Sequence, residues 1–151
     1  MNPFDLKSAL LAKHAQHVVL IHFPIALFLT GAAFDVAARL IGKPARKTAL
    51  LEAARLNLWL AALSSIPTLI TGILAWQLQF HGKRLKGILL LHLVLATTAS
   101  SFMGLTVWLR ERGRKESVPP AWILGLELVT VALIGTTAHV GGFLSGVNIP
   151  G

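Results

Sequence analysis

The chain alternates long apolar runs with short charged ones. Four runs stand out, roughly Val18 to Leu40, Leu56 to Phe80, Leu85 to Leu109 and Ala121 to Leu144. Each reaches the length of about 20 residues that crosses the hydrocarbon core of a bilayer. The punctuation between them is short. "IGKPARK" closes the first run, "HGKRLKG" parts the second from the third, and "RERGRKESVPPA" parts the third from the fourth, where Pro119 and Pro120 suit the start of a helix. Backbone in lipid must satisfy its own hydrogen bonds, and the alternation of a membrane β-strand is absent, so the runs are read as helices. Short loops make neighbours antiparallel. The expected fold is all-α, an integral-membrane up-down-up-down four-helix bundle occupying residues 17–151. The letters show no internal repeat and no low-complexity segment.

Ahead of the first run, residues 1–16 ("MNPFDLKSALLAKHAQ") have Phe4, Leu6, Leu10 and Leu11 on one broad face, as in a short amphipathic helix lying on the membrane surface. The first run is too long for a signal peptide and no small-residue cleavage site follows it, so it is expected to be retained. Trp59, Trp76, Trp108 and Trp122 fall near run ends, where amphipathic rings favour the interface. Thr68 with Gly72, Ser100 with Gly104, and Gly141 with Gly142 mark faces suited to close helix packing.

Composition agrees. Hydrophobic residues make up 54% and charged residues 13% of the chain, and mean hydropathy is +0.69, outside the range of ordinary soluble domains. A net charge of +8 would suggest nucleic acid in a soluble protein. Here the basic residues sit between apolar runs, so no nucleic-acid partner is expected. Nine lie on one side (Arg39, Lys43, Arg46, Lys47, Arg55, Arg110, Arg112, Arg114, Lys115) and five on the other (Lys7, Lys13, Lys83, Arg84, Lys86). The positive-inside rule puts the nine in the cytoplasm and both termini outside, in the periplasm for a bacterial inner membrane. The absence of cysteine excludes disulfides, thiolate metal sites, iron–sulfur ligation and covalent c-type haem attachment.

The chemistry-bearing residues are histidines at the outer end. His22 opens the first span, His92 lies early in the third and His139 late in the fourth, each about 8–10 Å into its helix. Three imidazoles from three helices thus fall in one layer, with His17 about a turn and a half shallower. Intramembrane imidazole needs a partner. Two histidines on facing helices can hold one haem axially, and Gly72, Gly135, Gly141 and Gly142 offer clearance. Zinc would want a tighter cluster with a carboxylate or thiolate. The ligand pair stays open: His22 with His92 is the diagonal choice, and His139 can replace either or bind a propionate or a quinone. His17 and His22 are five residues apart, about 140° around a helix, so they cannot both enter one slot. Without a cofactor, the same histidines are interhelix hydrogen-bonding groups.

Asp35 and Glu127 lie toward the opposite end, at the depth of Arg39 and Arg55, and are read as members of a register-fixing ion pair rather than a proton path or quinone site. "GGFLSG" closes a helix, whereas phosphate-binding loops open one, so it is read as termination and close packing.

"HVVLIHFPIALFLTGAAFDV" resembles the opening of the bacterial membrane-protein family catalogued as domain of unknown function 2231. Members carry a His-Pro pair and then His-Phe-Pro five residues after the first histidine. Here His17 and His22-Phe23-Pro24 keep that spacing, with Val18 in place of the first proline. "IPTLITGILAW" is similar to the family's second helix, with Pro67, Gly72 and Trp76 in place. His92 matches a histidine early in the third helix, and the Gly141–Gly142 pair matches the close of the fourth. The usual tyrosine and histidine after that pair are replaced by Leu144, Ser145 and Gly146. The resemblance implies an electron-transfer context among cytochromes and redox proteins.

Two functional readings follow. In the first, the chain is a b-type cytochrome-like subunit that holds haem b near the outer face and passes electrons between a quinone or partner subunit and a periplasmic carrier. In the second, it is a cofactor-free or pigment-binding accessory subunit of a larger complex, as a homo- or hetero-oligomer in the bilayer. No independent catalytic activity is expected, since no Gly-x-Ser-x-Gly, His-Glu-x-x-His or P-loop motif occurs. No inverted repeat or broken mid-membrane helix points to a transporter.

Overall fold

A computed structural model describes residues 15–79, 81, 82, 84–113 and 118–146. The expected surface helix over residues 1–16 therefore lies almost wholly outside the described residues. The described residues form helices α1 (Ala15–Leu20), α2 (His22–Leu40), α3 (Pro44–Gln79), α4 (Gly87–Arg112) and α5 (Ala121–Leu144), with no strand among them. Helices α1 and α2 make one span, so four helical units are long and apolar enough to cross a membrane.

The break between α1 and α2 has a specific cause. Pro24 has no N–H to give to the carbonyl of Leu20, four residues back. Ile21 keeps helical dihedrals (φ −59°, ψ −28°) and its N–H bonds the His17 carbonyl at 3.0 Å, so the chain continues in a helical path through the break. The orphaned Leu20 carbonyl lies 3.4 Å from the Thr68 hydroxyl of α3, whose single hydrogen is shared with the closer Ser64 carbonyl at 2.8 Å. A proline gap in one span is thus closed by a threonine on the next, as lipid requires.

Helix α3 begins twelve residues before the expected start of the second span. Its first three turns are charged but rich in Ala, Leu, Arg and Lys, all strong helix formers. Pro44 suits the first turn, and Thr48 donates back to the Pro44 carbonyl at 3.2 Å. Thirty-six residues run about 54 Å, well beyond the hydrocarbon core, so the basic first turns project past it. The third span is shifted by two or three residues at each end, and the fourth matches its expected limits.

Each span packs on two neighbours. The first lies against the second and fourth, the third against the same two, and the first and third are diagonal. The core is built from Phe28, Leu58, Ala61, Ala99, Met103, Val107 and Ile134. At Gly31 the first two spans approach so closely that a Cβ would sit 2.8 Å from Leu58 Cγ and 3.2 Å from the Ala54 carbonyl.

The burial pattern shows a repeat that the letters hide. Adding 75 to buried positions 24, 28, 31, 32 and 35 of α2 gives 99, 103, 106, 107 and 110, the buried positions of α4. Adding 69 to 54, 58, 61 and 65 of α3 gives 123, 127, 130 and 134 of α5. Residues 24–35 and 99–110 run through the same order of buried, half-buried and exposed positions, as do 54–68 and 123–137. The bundle is two helical hairpins that start at the same end, related by a pseudo-two-fold along the membrane normal. This corrects the expectation of no internal repeat. A repeat in membrane proteins is carried by which face is packed, and lipid-exposed apolar residues exchange freely.

Gly31→Val should lower stability in mild detergent by about 1–3 kcal/mol, because Leu58 is fully buried and has nowhere to go. Gly104→Val should stay within about 0.5 kcal/mol. Gly104 is exposed, and a Cβ added there would meet nothing within 4 Å, so the expected Ser100–Gly104 packing face is not used. Equal losses in chemical denaturation would contradict this packing.

Candidate functional site: one histidine in the seam of each hairpin

The register repeat brings two imidazoles to one level. His17 of α1 and His92 of α4 are 75 residues apart, the offset that relates the first and third spans. Both are half-buried. His17 Nδ1 lies 3.3 Å from the Thr71 hydroxyl, and the ring also faces the Thr68 carbonyl. Its edge fills the notch left by Gly72, where a Cβ would come within 3.0 Å of Cε1. His92 repeats the arrangement on the second hairpin. It faces the Thr137 carbonyl and fills the notch at Gly141, again with 3.0 Å between Cε1 and a would-be Cβ.

The residues involved are the ones that the two hairpins share as letters. His17-x-Val19-Leu20 recurs as His92-x-Val94-Leu95, and Thr68 with Gly72 recurs as Thr137 with Gly141, at the same offsets of 75 and 69. Elsewhere the matched buried positions hold different residues, such as Phe28 and Met103 or Ala61 and Thr130. One asymmetry remains. Thr71 bonds His17, whereas its counterpart is Val140, and His92 Nδ1 is buried with no hydrogen-bond partner. An unpaired buried polar nitrogen costs about 1–3 kcal/mol.

The other expected site residues are placed differently. His22 is exposed, and its Nδ1 bonds the Val18 carbonyl of α1, four residues back, at 2.7 Å. His139 is exposed, edge-on to Phe143 at 5.1 Å. With His17 turned to the seam, the five-residue spacing carries His22 to the outer surface. Gly142 is half-buried, and Gly135 has open space around it. A cleft of 240 Å³ opens beside His17, lined by Gln16, Thr71, Leu74 and Leu78. Among the described residues no group of three or more His, Asp or Glu gathers as a bare metal site would need.

At the opposite end the repeat pairs Asp35 with Arg110, which occupy equivalent positions on the diagonal spans. Both are buried, and Arg110 holds Asp35 through both terminal nitrogens, Nη1 to Oδ2 and Nη2 to Oδ1, the latter at 2.9 Å. Nη1 also lies 3.4 Å from Glu127 Oε1, and Nη2 reaches the Leu51 carbonyl at 3.3 Å. The expected cations, Arg39 and Arg55, are committed elsewhere. Arg39 donates to the Pro119 carbonyl, and Arg55 binds Glu111 at 2.6 Å and 3.3 Å, where Trp59 Nε1 also donates at 2.9 Å. By sequence Arg110 reads only as a loop charge. The signal that identifies it is depth: the buried acids need a cation at their own level, and "VWLRER" supplies one.

Fold and site together define a four-span α-helical membrane protein made of two hairpins, with polar pairs on its internal axis. The chain belongs to the family of predicted membrane proteins known as domain of unknown function 2231, whose family model matches residues 13–147. No curated protein and no solved structure is significantly similar to it.

Arg110→Met should destabilise the bundle by about 3–5 kcal/mol, because it strands buried carboxyl groups. Asp35→Leu combined with Arg110→Met should recover part of that loss, since a buried pair replaced by apolar groups is often neutral. Chemical denaturation in detergent checks both. A double variant no more stable than Arg110→Met would contradict the pairing.

Proposed function

We propose that this protein is a b-type cytochrome-like membrane subunit in which His17 and His92 hold one haem between the hairpins. The observation that carries the reading is the repeat of His, Thr and Gly in the seam of each hairpin, in a bundle whose halves otherwise share few buried residues. Two neutral imidazoles from diagonal helices are a donor set suited to haem iron. The buried His92 Nδ1 without a partner fits a ring whose hydrogen bonding is incomplete in the protein alone.

Haem, when bound, supplies one-electron chemistry. The chain's own residues position the imidazoles. The Thr68 and Thr137 carbonyls and the Thr71 hydroxyl fix ring orientation from behind. Gly72 and Gly141 let the rings into the seams. With the basic loops in the cytoplasm, the site lies near the periplasmic face of a bacterial inner membrane. A quinone or a partner subunit would supply electrons from the membrane, and a periplasmic carrier would receive them.

The alternative is a cofactor-free accessory subunit, and a specific observation favours it: both rings already fill glycine notches, and His17 has a threonine partner. A reduced-minus-oxidised visible spectrum of the purified protein separates the two. The haem reading expects a b-type signal that is lost in His17→Ala and in His92→Ala and kept in His22→Ala and His139→Ala. A colourless wild-type protein, or full haem content in His92→Ala, would assign the histidines to helix packing.

A further inference from the structure

The polar cluster at the basic end plays no part in that reading. Asp35, Arg110 and Glu127 come from the first, third and fourth spans, and Glu127 is fully buried. It lies six residues into α5, about 9 Å from the helix start. Arg110 is spent on Asp35, giving it two bonds and leaving Glu127 Oε1 at 3.4 Å. The carboxyl groups of Asp35 and Glu127 meet on the same Arg110 nitrogen, Nη1, and no donor reaches Glu127 Oε2.

Counting charges decides what this cluster holds. One guanidinium neutralises one carboxylate. A second carboxylate sharing that guanidinium, out of water, cannot also stay ionised. The remaining charged neighbours do not alter the count. Arg39 of the first span also acts on Glu127, but it is exposed and bound to the Pro119 carbonyl, so water and salt screen it. From the second span Leu51 offers only a carbonyl, while Arg55 is held by Glu111 and Glu52. From the third span the only charge in reach is Arg110 itself.

We propose that Asp35 and Glu127 share one exchangeable proton, which makes this cluster a proton-binding site inside the bundle. The proton sits on the Glu127 carboxyl and is donated to the Asp35 carboxylate, so the cluster holds one positive and one negative charge. The internal repeat shows that packing alone does not ask for an acid here. The counterpart of Glu127 in the first hairpin is Leu58, also fully buried, so an apolar side chain fills the same place.

The test is infrared spectroscopy of the full-length protein in lipid at neutral pH. The chain has only six Asp and Glu residues, which keeps the carboxyl region simple. The expected result is a protonated-carboxyl carbonyl band that shifts in D₂O. It should vanish in Glu127→Gln, where Asp35 pairs with Arg110 alone. It should vanish equally in Asp35→Asn, where Glu127 ionises against the freed Arg110. A wild-type spectrum without the band would overturn the proposal. So would a band that persists in Asp35→Asn, since burial and not sharing would then hold the proton.

Discussion

A polar atom held in lipid must find its partner on a neighbouring helix, and the organisation of this bundle follows from that constraint. Water cannot repair an error at mid-membrane, and most polar intrusions here carry their own complement. Pro24 frees the Leu20 carbonyl, and Thr68 supplies the donor. Asp35 enters the first span, and Arg110 enters the third at the equivalent level. His17 and His92 enter the seams, and threonines and glycines of the adjoining helices receive them.

The pseudo-two-fold makes such pairings geometrically natural. Residues at equivalent positions on diagonal helices approach each other across the axis. A like pair of charges there would repel, so Asp35 faces an arginine rather than a second aspartate. Neutral imidazoles carry no such penalty, and the histidine end keeps the same residues in both halves. The two ends of one axis therefore have different characters. One holds a charge-balanced cluster, and the other holds paired ligand-type side chains.

Much of this is legible in the sequence, and what is not has physical reasons. Hydropathy alone gives four spans because about 20 apolar residues in a row are the length a bilayer demands and far more than a soluble helix buries. It misses the start of α3, since "ARKTALLEAARLN" is polar yet helix-forming and extends past the membrane. The repeat escapes notice because burial register, not residue identity, carries it: Leu58 answers to Glu127 and Ser65 to Ile134. Histidines are recognisable as the chemistry of the end opposite the basic loops. Which of His17 and His22 turns inward is not, because a five-residue spacing permits either and only the contacts with Thr71 and Gly72 decide it. Arg110 is hidden by its position in a basic run, where it reads as one more topology charge.

In the haem reading each hairpin gives one imidazole to a single shared site. Low-temperature electron paramagnetic resonance of the oxidised protein, purified in mild detergent from haem-replete cells, tests this most directly. Two axial imidazoles give a low-spin ferric signal, and that is the predicted result. A high-spin ferric signal would mean that one hairpin alone provides the ligand. Protein without haem would leave the paired histidines as packing groups, and either result would contradict the shared site.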